Sequence, residues 1–437
     1  MSFTGRKTDM NFEKTGREMH ALITELYPIC RSITGKGVRK TLDILGRYIP
    51  LEIHQVPTGT PVYDWTVPKE WNIEDAYVKN SKGDKIIDFK ATNLHILNYS
   101  IPLKKKVSLQ ELREHLFTLP DYPDWIPYRT SYYKNNWGFC ISHNQYLNLN
   151  DPEYEVFIDT SLDNGHLTYG EYFIKGQEAD EILISCHICH PSLCNDNLSG
   201  IAVTSFLAEY LTRKQSRYSY RFLFIPGTIG SIAWLSLNEH RIANIKHGLV
   251  AACLGDPGKF TYKKSRLGNA EIDRAVLCTL RDSGEDFGIL NFVPYGYDER
   301  QYCSPGFNLP VGCLMRTPYS RYPEYHTSAD NLDFVRPASL AGSFALLLSI
   351  LNILENNRKF LNKNPKCEPQ LGKRGLYQAI GGENDKKSME IAMLWILNLS
   401  DGYNSLIDIA ERSGIRFSHL RQVVDILLSH SLLKEVQ

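Results

Sequence analysis

The chain has 437 residues, of which 43% are hydrophobic and 22% are charged, proportions that are typical of a globular protein. A single hydrophobic core stops growing at about 250–300 residues, so the length predicts more than one domain. Lysine plus arginine (49) equals aspartate plus glutamate (49), and this zero formal charge argues against a general polyanion binder. No apolar run approaches the ~20 residues that cross a bilayer, and the first twenty residues lack the apolar core of a signal peptide. We therefore expect a cytoplasmic protein with no membrane partner and with reduced cysteines.

Four regions follow one another along the chain. Residues 1–50 carry two helical patterns, whereas residues 51–150 are rich in proline, glycine and aromatic residues with short alternating runs, which predicts a small inserted β-rich domain. Residues 151–365 alternate strand-like and helical segments, which predicts an α/β sheet covered on both faces. Residues 370–437 carry three helical patterns with Gly414 at a turn, which predicts a winged helix-turn-helix domain.

The stretch SCHICHPSLCNDNLSG, residues 185–200, carries the strongest chemical signal. His187 follows an apolar run at the carboxyl end of a predicted strand, the edge at which ligands of open α/β sheets gather. Asp196 comes nine residues later, just before a predicted helix. Imidazole and carboxylate are suitable ligands for zinc in a catalytic site with an open position. The pair therefore favours a metal site.

Three more loops carry candidate site residues. Asp256 follows an apolar strand, His326 lies in a polar loop, and Asp298 and Glu299 lie together in a loop between them. Taken singly, each has an ordinary structural interpretation; an aspartate before a helix, for example, is usually an N-cap. Their order in an α/β chain favours one shared site.

The cysteines of the same stretch allow a competing interpretation, a redox or structural zinc site. A structural zinc site needs four ligands, and Cys303 and Cys313, ten residues apart, match the usual spacing of a second pair poorly. Strand alternation sends Cys186 away from His187. We therefore treat Cys189 and Cys194 as neighbours of the site.

Six blocks carry a resemblance to a known family: DWTVPKEWNI, CHPS, DNLSG, GTIGSI, YGYDERQYCSPG and YHTSADN. With them the chain resembles a bacterial family of aminopeptidase-like zinc peptidases, related to the aminopeptidases with a two-metal centre. The resemblance implies a zinc-exopeptidase-like mixed sheet flanked by helices, with the inserted β-rich domain and a C-terminal winged helix. It also implies an association with polysaccharide biosynthesis.

The same resemblance implies roles for individual residues. His187 and Asp256 would hold one zinc ion together with Asp196, which would bridge to a second ion bound by His326. One or two zinc ions would activate a water molecule against a small peptide or amide substrate. Tyr325 and Arg300 are expected to contact that substrate.

Two departures from the family pattern bear on catalysis. Cys189 stands where the aminopeptidases have an aspartate, and the segment around Gly227 lacks their pair of glutamates. Glu299 or Asp298 could supply the missing general base; these residues could instead bind a substrate amine or pair with an arginine. The alternative function is a catalytically degenerate fold that acts as a binding or regulatory protein.

The C-terminal segment is poorly equipped for DNA. Residues 371–437 contain eight basic and eight acidic residues, whereas phosphate contacts dominate DNA affinity. We therefore do not expect a nucleic-acid partner. A protein contact or a homo-oligomer through the tail or the β-rich domain is the expectation.

Overall fold

The computed structural model describes residues 11–376 and 383–436. These residues form two compact units: one contains residues 11–268 and 287–345, and the other contains residues 269–286 and the described residues from 346 onward. The larger unit carries all the site residues predicted from the sequence.

The helices, numbered along the chain, are α1 (Phe12–Leu26), α2 (Lys36–Leu45), α3 (Leu109–Glu114), α4 (His143–Leu147), α5 (Gly200–Thr212), α6 (Ile229–Asn238), α7 (Glu271–Ser283), α8 (Glu299–Tyr302), α9 (Pro337–Asn356), α10 (Glu383–Leu399), α11 (Leu406–Ser413) and α12 (Phe417–Ser429). The strands are β1 (Glu52–Pro57), β2 (Pro61–Val62), β3 (Trp65–Thr66), β4 (Glu70–Lys79), β5 (Lys85–Asp88), β6 (Leu103–Ser108), β7 (Leu116–Phe117), β8 (Phe139–Cys140), β9 (Glu153–Asp163), β10 (His166–Ile174), β11 (Glu181–His187), β12 (Ser219–Ile225), β13 (Ile245–Ala251), β14 (Phe260–Lys263), β15 (Phe287–Leu290), β16 (Val311–Met315), β17 (Lys359–Asn362), β18 (Asp401–Ser405) and β19 (Leu433–Val436).

An eight-stranded mixed sheet organises the larger unit, in the order β1-β10-β12-β11-β13-β16-β14-β15. Strands β12, β11, β13 and β16 run parallel, while β1 and β10 are antiparallel at one edge. Every residue of β11 and β12 is buried, as expected for central strands whose two faces are both covered. The predicted fold, a mixed sheet flanked by helices, is confirmed.

A buried charge network lies between the central strands and the antiparallel edge. The guanidinium of Arg221 in β12 pairs with Glu171 in β10 and with Glu181 in β11. Removing one member would leave an uncompensated buried charge, which is strongly destabilising. The network therefore explains how charged residues are accommodated in otherwise apolar buried strands.

The β-rich region forms a second, four-stranded sheet in the order β5-β4-β9-β6. Strand β9, residues 153–163, belongs to this sheet, while β1, residues 52–57, pairs with β10 in the large sheet. The strand pairing thus crosses the predicted divisions at residues 50 and 150, which remain a prediction about domains.

In the smaller unit, β18, β17 and β19 form a three-stranded antiparallel sheet beside α10, α11 and α12. Ser405 caps α11 through a capping box with Asp408, and Gly414 ends it in the left-handed conformation with a φ of 70°. Helix, turn, helix and a β wing follow in the order that the sequence predicts.

Helix α9 differs from the expectation that no apolar segment is long enough to cross a bilayer. Among the described residues it is long and apolar enough to span a membrane by length and composition, and 61% of its apolar window is buried inside the protein. Such burial is typical of the core helix of a folded domain.

Candidate metal centre

The centre lies where β11 ends. His187 is the last residue of this strand, and residues 194–199 form an irregular turn that leads into α5. His187 is 1% exposed and Asp196 is fully buried. The carboxyl end of a parallel strand and the following loop thus place both side chains at one edge of the sheet.

One carboxylate collects three imidazoles. His187 Nε2 lies 2.8 Å from Asp196 Oδ1, and His326 Nε2 lies 3.0 Å from Asp196 Oδ2. His190 Nδ1 lies 3.5 Å from the same Oδ2. The Tyr297 hydroxyl donates to Asp196 Oδ1 across 2.9 Å. Each oxygen of Asp196 therefore faces a different side of the cluster.

The donor set fits a zinc ion. One ligand atom each from His187, His190 and Asp196 lies within 4.8 Å of the other two. His190 Nδ1 is buried without a hydrogen-bond partner, as is Asp298 Oδ2. Buried polar atoms ordinarily find partners, and unpaired ones call for an explanation such as an ion. Imidazole nitrogen and carboxylate oxygen are ordinary zinc ligands, so the residues present suit the metal.

Burial and the neighbouring charges shift the pKa values of His190 and Asp196. Burial lowers the pKa of His190 to about 3, although Asp196 acts in the opposite direction, so its ring is neutral at pH 7. Burial alone would raise the pKa of Asp196, but the imidazoles of His190, His187 and His326 hold it well below its usual range. A neutral imidazole and an ionised carboxylate are the forms that bind metals.

His326 lies in a loop that forms hydrogen bonds with the segment around Tyr128 in the β-rich region. The backbone N–H of Tyr128 donates to the His326 carbonyl across 2.7 Å, and Ile126 and Ser328 exchange further hydrogen bonds. The Tyr128 ring stands edge-on to the rings of His190 and His326, at 5.3 and 5.2 Å. The segment around Tyr128 therefore covers one side of the centre.

Asp330, four residues after His326, holds the loop that carries Asp196. Its two carboxylate oxygens accept the backbone N–H groups of Asn195 (2.6 Å) and Asp196 (3.0 Å). Asp330 therefore fixes the backbone of the loop that carries Asp196, without contacting the imidazoles through these bonds.

Asp256 is not brought into the cluster around Asp196. Its Oδ1 accepts hydrogen bonds from Gly258 N and Thr317 Oγ1, and its Oδ2 accepts one from Asn195 Nδ2. Both oxygens are thus engaged with neighbours other than the histidines. The ligand role of Asp256 stays a prediction that no contact among the described residues supports.

The two candidate bases, Asp298 and Glu299, are adjacent in the sequence but have different partners. Asp298 is fully buried; its Oδ1 accepts from Ser231 Oγ at 2.7 Å, while its Oδ2 has no partner. Burial raises its pKa to about 6, against the opposing effects of His187 and Ser231. Glu299 instead forms a buried ion pair with Lys263, 2.8 Å between Nζ and Oε1. The structure therefore places Asp298 beside the centre and ties Glu299 to Lys263.

Asp298 faces the segment that lacks the expected glutamate pair. A Cβ added to Gly227 would lie 3.1 Å from the Cβ of His187 and 3.3 Å from Asp298 Oδ2. The position is bare backbone, and the carboxylate of Asp298 occupies the space in front of it. A carboxylate from another loop thus stands beside the segment in which the family resemblance implies a pair of glutamates.

A cavity of about 360 Å³ opens onto the centre. Arg300 and Tyr325, both predicted to contact substrate, line it, and the Tyr325 ring stacks on His326 with centroids 4.0 Å apart. Trp65 and Tyr133 line it too and are about half exposed, 49% and 53%. This volume is at the lower end for small-molecule sites, which run from about 300 to 1,000 Å³.

Sequence reasoning missed His190 and Tyr297. Both lie in the sequence blocks that carry the family resemblance, CHPS and YGYDERQYCSPG, but strand alternation says nothing about residues in irregular loops. A second histidine three residues after His187, in the loop that leads to Asp196, is the signal that could have identified His190.

The cysteines play no comparable part. Cys186, Cys189 and Cys194 are buried and free. Burial raises the pKa of the Cys189 thiol to about 12, so it is protonated rather than a thiolate. In the described part of the chain, the one group of histidine, cysteine and acidic side chains arranged to hold a metal is His187, His190 and Asp196.

The comparisons with known proteins agree with this architecture. Residues 20–357 match the family described as "Domain of unknown function (DUF4910)", and residues 358–435 match a winged helix-turn-helix family. A Clostridium acetobutylicum protein is 55% identical over 426 residues, 98% of each chain, and is named "Putative polysaccharide biosynthesis protein with aminopeptidase-like domain". A crystal structure described as a "putative peptidase" of the same organism covers 98% of each chain at 54% identity, with a TM-score of 0.93.

More distant structures share the fold alone. A zinc aminopeptidase of Bacillus subtilis has 12% identity and a TM-score of 0.55, with 77% of this chain and 94% of that chain covered. An aminopeptidase of Aneurinibacillus sp. strain AM-1 has 13% identity and a TM-score of 0.51, with 78% and 95% covered. The predicted aminopeptidase-like fold and the winged helix are confirmed, and the chain belongs to the DUF4910 family.

Proposed function

We propose that the protein is a metal-dependent, aminopeptidase-like hydrolase that cleaves an amide bond in a small peptide or amide substrate. One observation carries the proposal: three imidazoles surround the buried carboxylate of Asp196, and the unpartnered carboxylate of Asp298 stands beside them. The aminopeptidase-like fold supports it. So does the cavity, whose volume suits a small molecule.

Zinc is the proposed cofactor, as one or two ions. His187, His190 and Asp196 would hold it, since one ligand atom from each lies within 4.8 Å of the other two and His190 Nδ1 lacks a partner. His326 would join them through the other side of the carboxylate, because its Nε2 lies 3.0 Å from Asp196 Oδ2. When bound, zinc polarises a carbonyl group and lowers the pKa of water toward about 7. The two oxygens of Asp196 face different imidazoles, an arrangement that is compatible with either number of ions.

Asp298 is the proposed general base. A base works best with a pKa near the working pH, and burial brings Asp298 to about 6. Its free Oδ2 faces His187 and Gly227, so it can accept a proton on the side of the cavity. Glu299 is a weaker candidate because its carboxylate already neutralises Lys263.

The biological setting is also a proposal. The name of the Clostridium acetobutylicum relative connects that protein to polysaccharide biosynthesis, and we extend this association to the present chain, in the cytoplasm. Amide-linked sugars therefore belong among the substrates to be tried beside dipeptides and aminoacyl anilides.

The winged helix is proposed to contact protein rather than DNA. In α12, the helix that would enter a DNA groove, Arg421 is paired with Asp425 at 2.5 Å. The pairing offsets a charge that would otherwise contact phosphate. Salt-sensitive binding of the full chain to duplex DNA would overturn this view, whereas self-association or a protein partner that is lost on deletion of residues 370–437 would support it.

The decisive experiment combines metal analysis with turnover. Protein dialysed against zinc should retain about one or two ions per chain, and His190→Ala should retain fewer. Cys278→Ser serves as the matched control, since Cys278 lies in the other unit. Hydrolysis of at least one small amide with zinc present supports the proposal. Full zinc loading without turnover of any amide would instead favour a binding or regulatory protein.

A further inference from the structure

Arg300 is the unusual cation of the larger unit. It lines the cavity, and its Nε is buried without a hydrogen-bond partner. Arg300 as a residue is half-buried, and the fully buried cations of this unit have clear partners: Arg31 donates to main-chain carbonyls, and Lys263 pairs with Glu299. Because a buried unpaired donor is costly, the unpartnered Nε of a guanidinium that lines a cavity calls for a ligand.

The rest of the lining points to the sign of that ligand. The described residues that line the cavity include no aspartate and no glutamate, and Arg300 is their one lysine or arginine. The remaining lining is mostly aromatic and aliphatic, with two histidines of the centre. The carboxylate of Asp298, beside the cavity, lies against Gly227 and is not part of the lining. Within the described lining itself, an ammonium group would meet no carboxylate, whereas an anion would meet the guanidinium of Arg300, whose Nε has no partner.

We infer that Arg300 is a carboxylate-binding residue, and that the substrate is a small amide which carries a carboxylate group. This inference rests on the proposed function, because it names the substrate class of the same cavity. The planar guanidinium matches a carboxylate in a bidentate fork, and such charge-assisted pairs are strong and directional. A dipeptide or an N-acylated amino acid has this chemistry and a size in keeping with about 360 Å³.

A carboxylate suits this cavity better than a phosphate. Phosphate sites typically combine several donors, such as a helix N-terminus or a glycine-rich loop with a lysine. The described lining offers one guanidinium and no further basic side chain apart from the histidines of the centre. A single fork therefore favours a singly charged anion.

Binding of matched small probes to the full-length chain tests the inference. N-acetyl-L-alanine, its uncharged amide, L-alaninamide and inorganic phosphate are titrated by calorimetry into metal-free and zinc-loaded protein. The metal-free series is informative because zinc would itself attract a carboxylate. The variants are Arg300→Gln and Arg300→Lys, and the control is Arg213→Gln, an exposed arginine of the same unit with a surface ion pair.

The expected result is that wild-type and Arg213→Gln protein bind N-acetyl-L-alanine about tenfold or more tightly than its amide, with or without zinc. Arg300→Gln should abolish this preference, and Arg300→Lys should keep part of it. Thermal unfolding shows whether each variant is folded, and Arg300→Lys retains the charge if Arg300→Gln is unstable.

Several outcomes would overturn the inference: equal binding of acid and amide, a preference unchanged in Arg300→Gln, no measurable binding of any probe, tighter binding of L-alaninamide, or stronger Arg300-dependent binding of phosphate. Failure of the hydrolase proposal would look different. It would leave the Arg300-dependent binding of the acid intact in metal-free protein and would show no turnover in zinc-loaded protein.

Discussion

Replacing Asp298 with asparagine should make the metal-free protein more stable while it removes activity. Burial raises the pKa of Asp298 from 3.8 to about 6, and at about 1.4 kcal/mol per pKa unit this corresponds to about 3 kcal/mol. Because the pKa is higher in the folded state, ionisation opposes folding. The penalty develops as the pH rises from about 4 through 6 and is fully present above that.

Asparagine escapes this penalty because it carries no charge. Its side-chain oxygen can still accept the hydrogen bond from Ser231. Above pH 7 the variant should therefore gain up to about 3 kcal/mol in free energy of unfolding, whereas near pH 4 and below it should match the wild type. Urea unfolding of metal-free protein at a series of pH values measures the difference.

Activity should change in the opposite direction. Loss of a general base typically lowers the rate by about 10²–10⁴-fold, with zinc content retained. Glu299→Gln is the adjacent control: it strands the buried Lys263 ammonium and should destabilise the fold by about 3–5 kcal/mol. Equal destabilisation of both variants at pH 8, or full activity in Asp298→Asn, would refute the reasoning.

Three further predictions concern the surroundings of Asp196. His190→Ala should lower zinc affinity by more than about tenfold, whereas Asp256→Asn should still bind zinc and should lose about 1–3 kcal/mol in free energy of unfolding because its hydrogen bonds are weakened. Metal analysis and urea unfolding distinguish the two variants. The reverse pattern would make Asp256 the ligand. Gly227→Ala should push its methyl group against His187 and Asp298. We expect a loss of about 1–3 kcal/mol in free energy of unfolding and a loss of most of the turnover. Wild-type turnover in this variant would show that the space is not used in catalysis. Asp330→Ala should release the loop of Asp196 and weaken zinc binding by about 10–100-fold in a chelator competition, and unchanged affinity would assign Asp330 a purely structural role.

The sequence was sufficient to locate the centre in outline. His187 and Asp196 follow from a general rule, because a continuous apolar strand must end at an edge where loops converge. The same rule also pointed to Asp256, at the end of the segment after β13. That role stays a prediction, because the orientation of a carboxylate depends on its partners, here Asn195 and Thr317.

The choice between Asp298 and Glu299 lies beyond local sequence patterns. The two are neighbours at the start of one short helix, and what separates them is Lys263, an ion-pair partner 36 positions away in β14. Pairing between distant strands likewise determines which sheet each strand joins. That β9 joins the small sheet while β1 joins the large one depends on register between distant strands, which no short motif encodes.

The most direct test of the central claim is a crystal of the full chain soaked in zinc and measured at wavelengths on both sides of the zinc absorption edge. We expect an anomalous peak in coordination range of Asp196 and of imidazoles from His187, His190 or His326, with the Asp298 carboxylate facing it. A fully soaked crystal with no peak at Asp196, or with its peak at the cysteines or at Asp256 away from the histidines, would contradict the account.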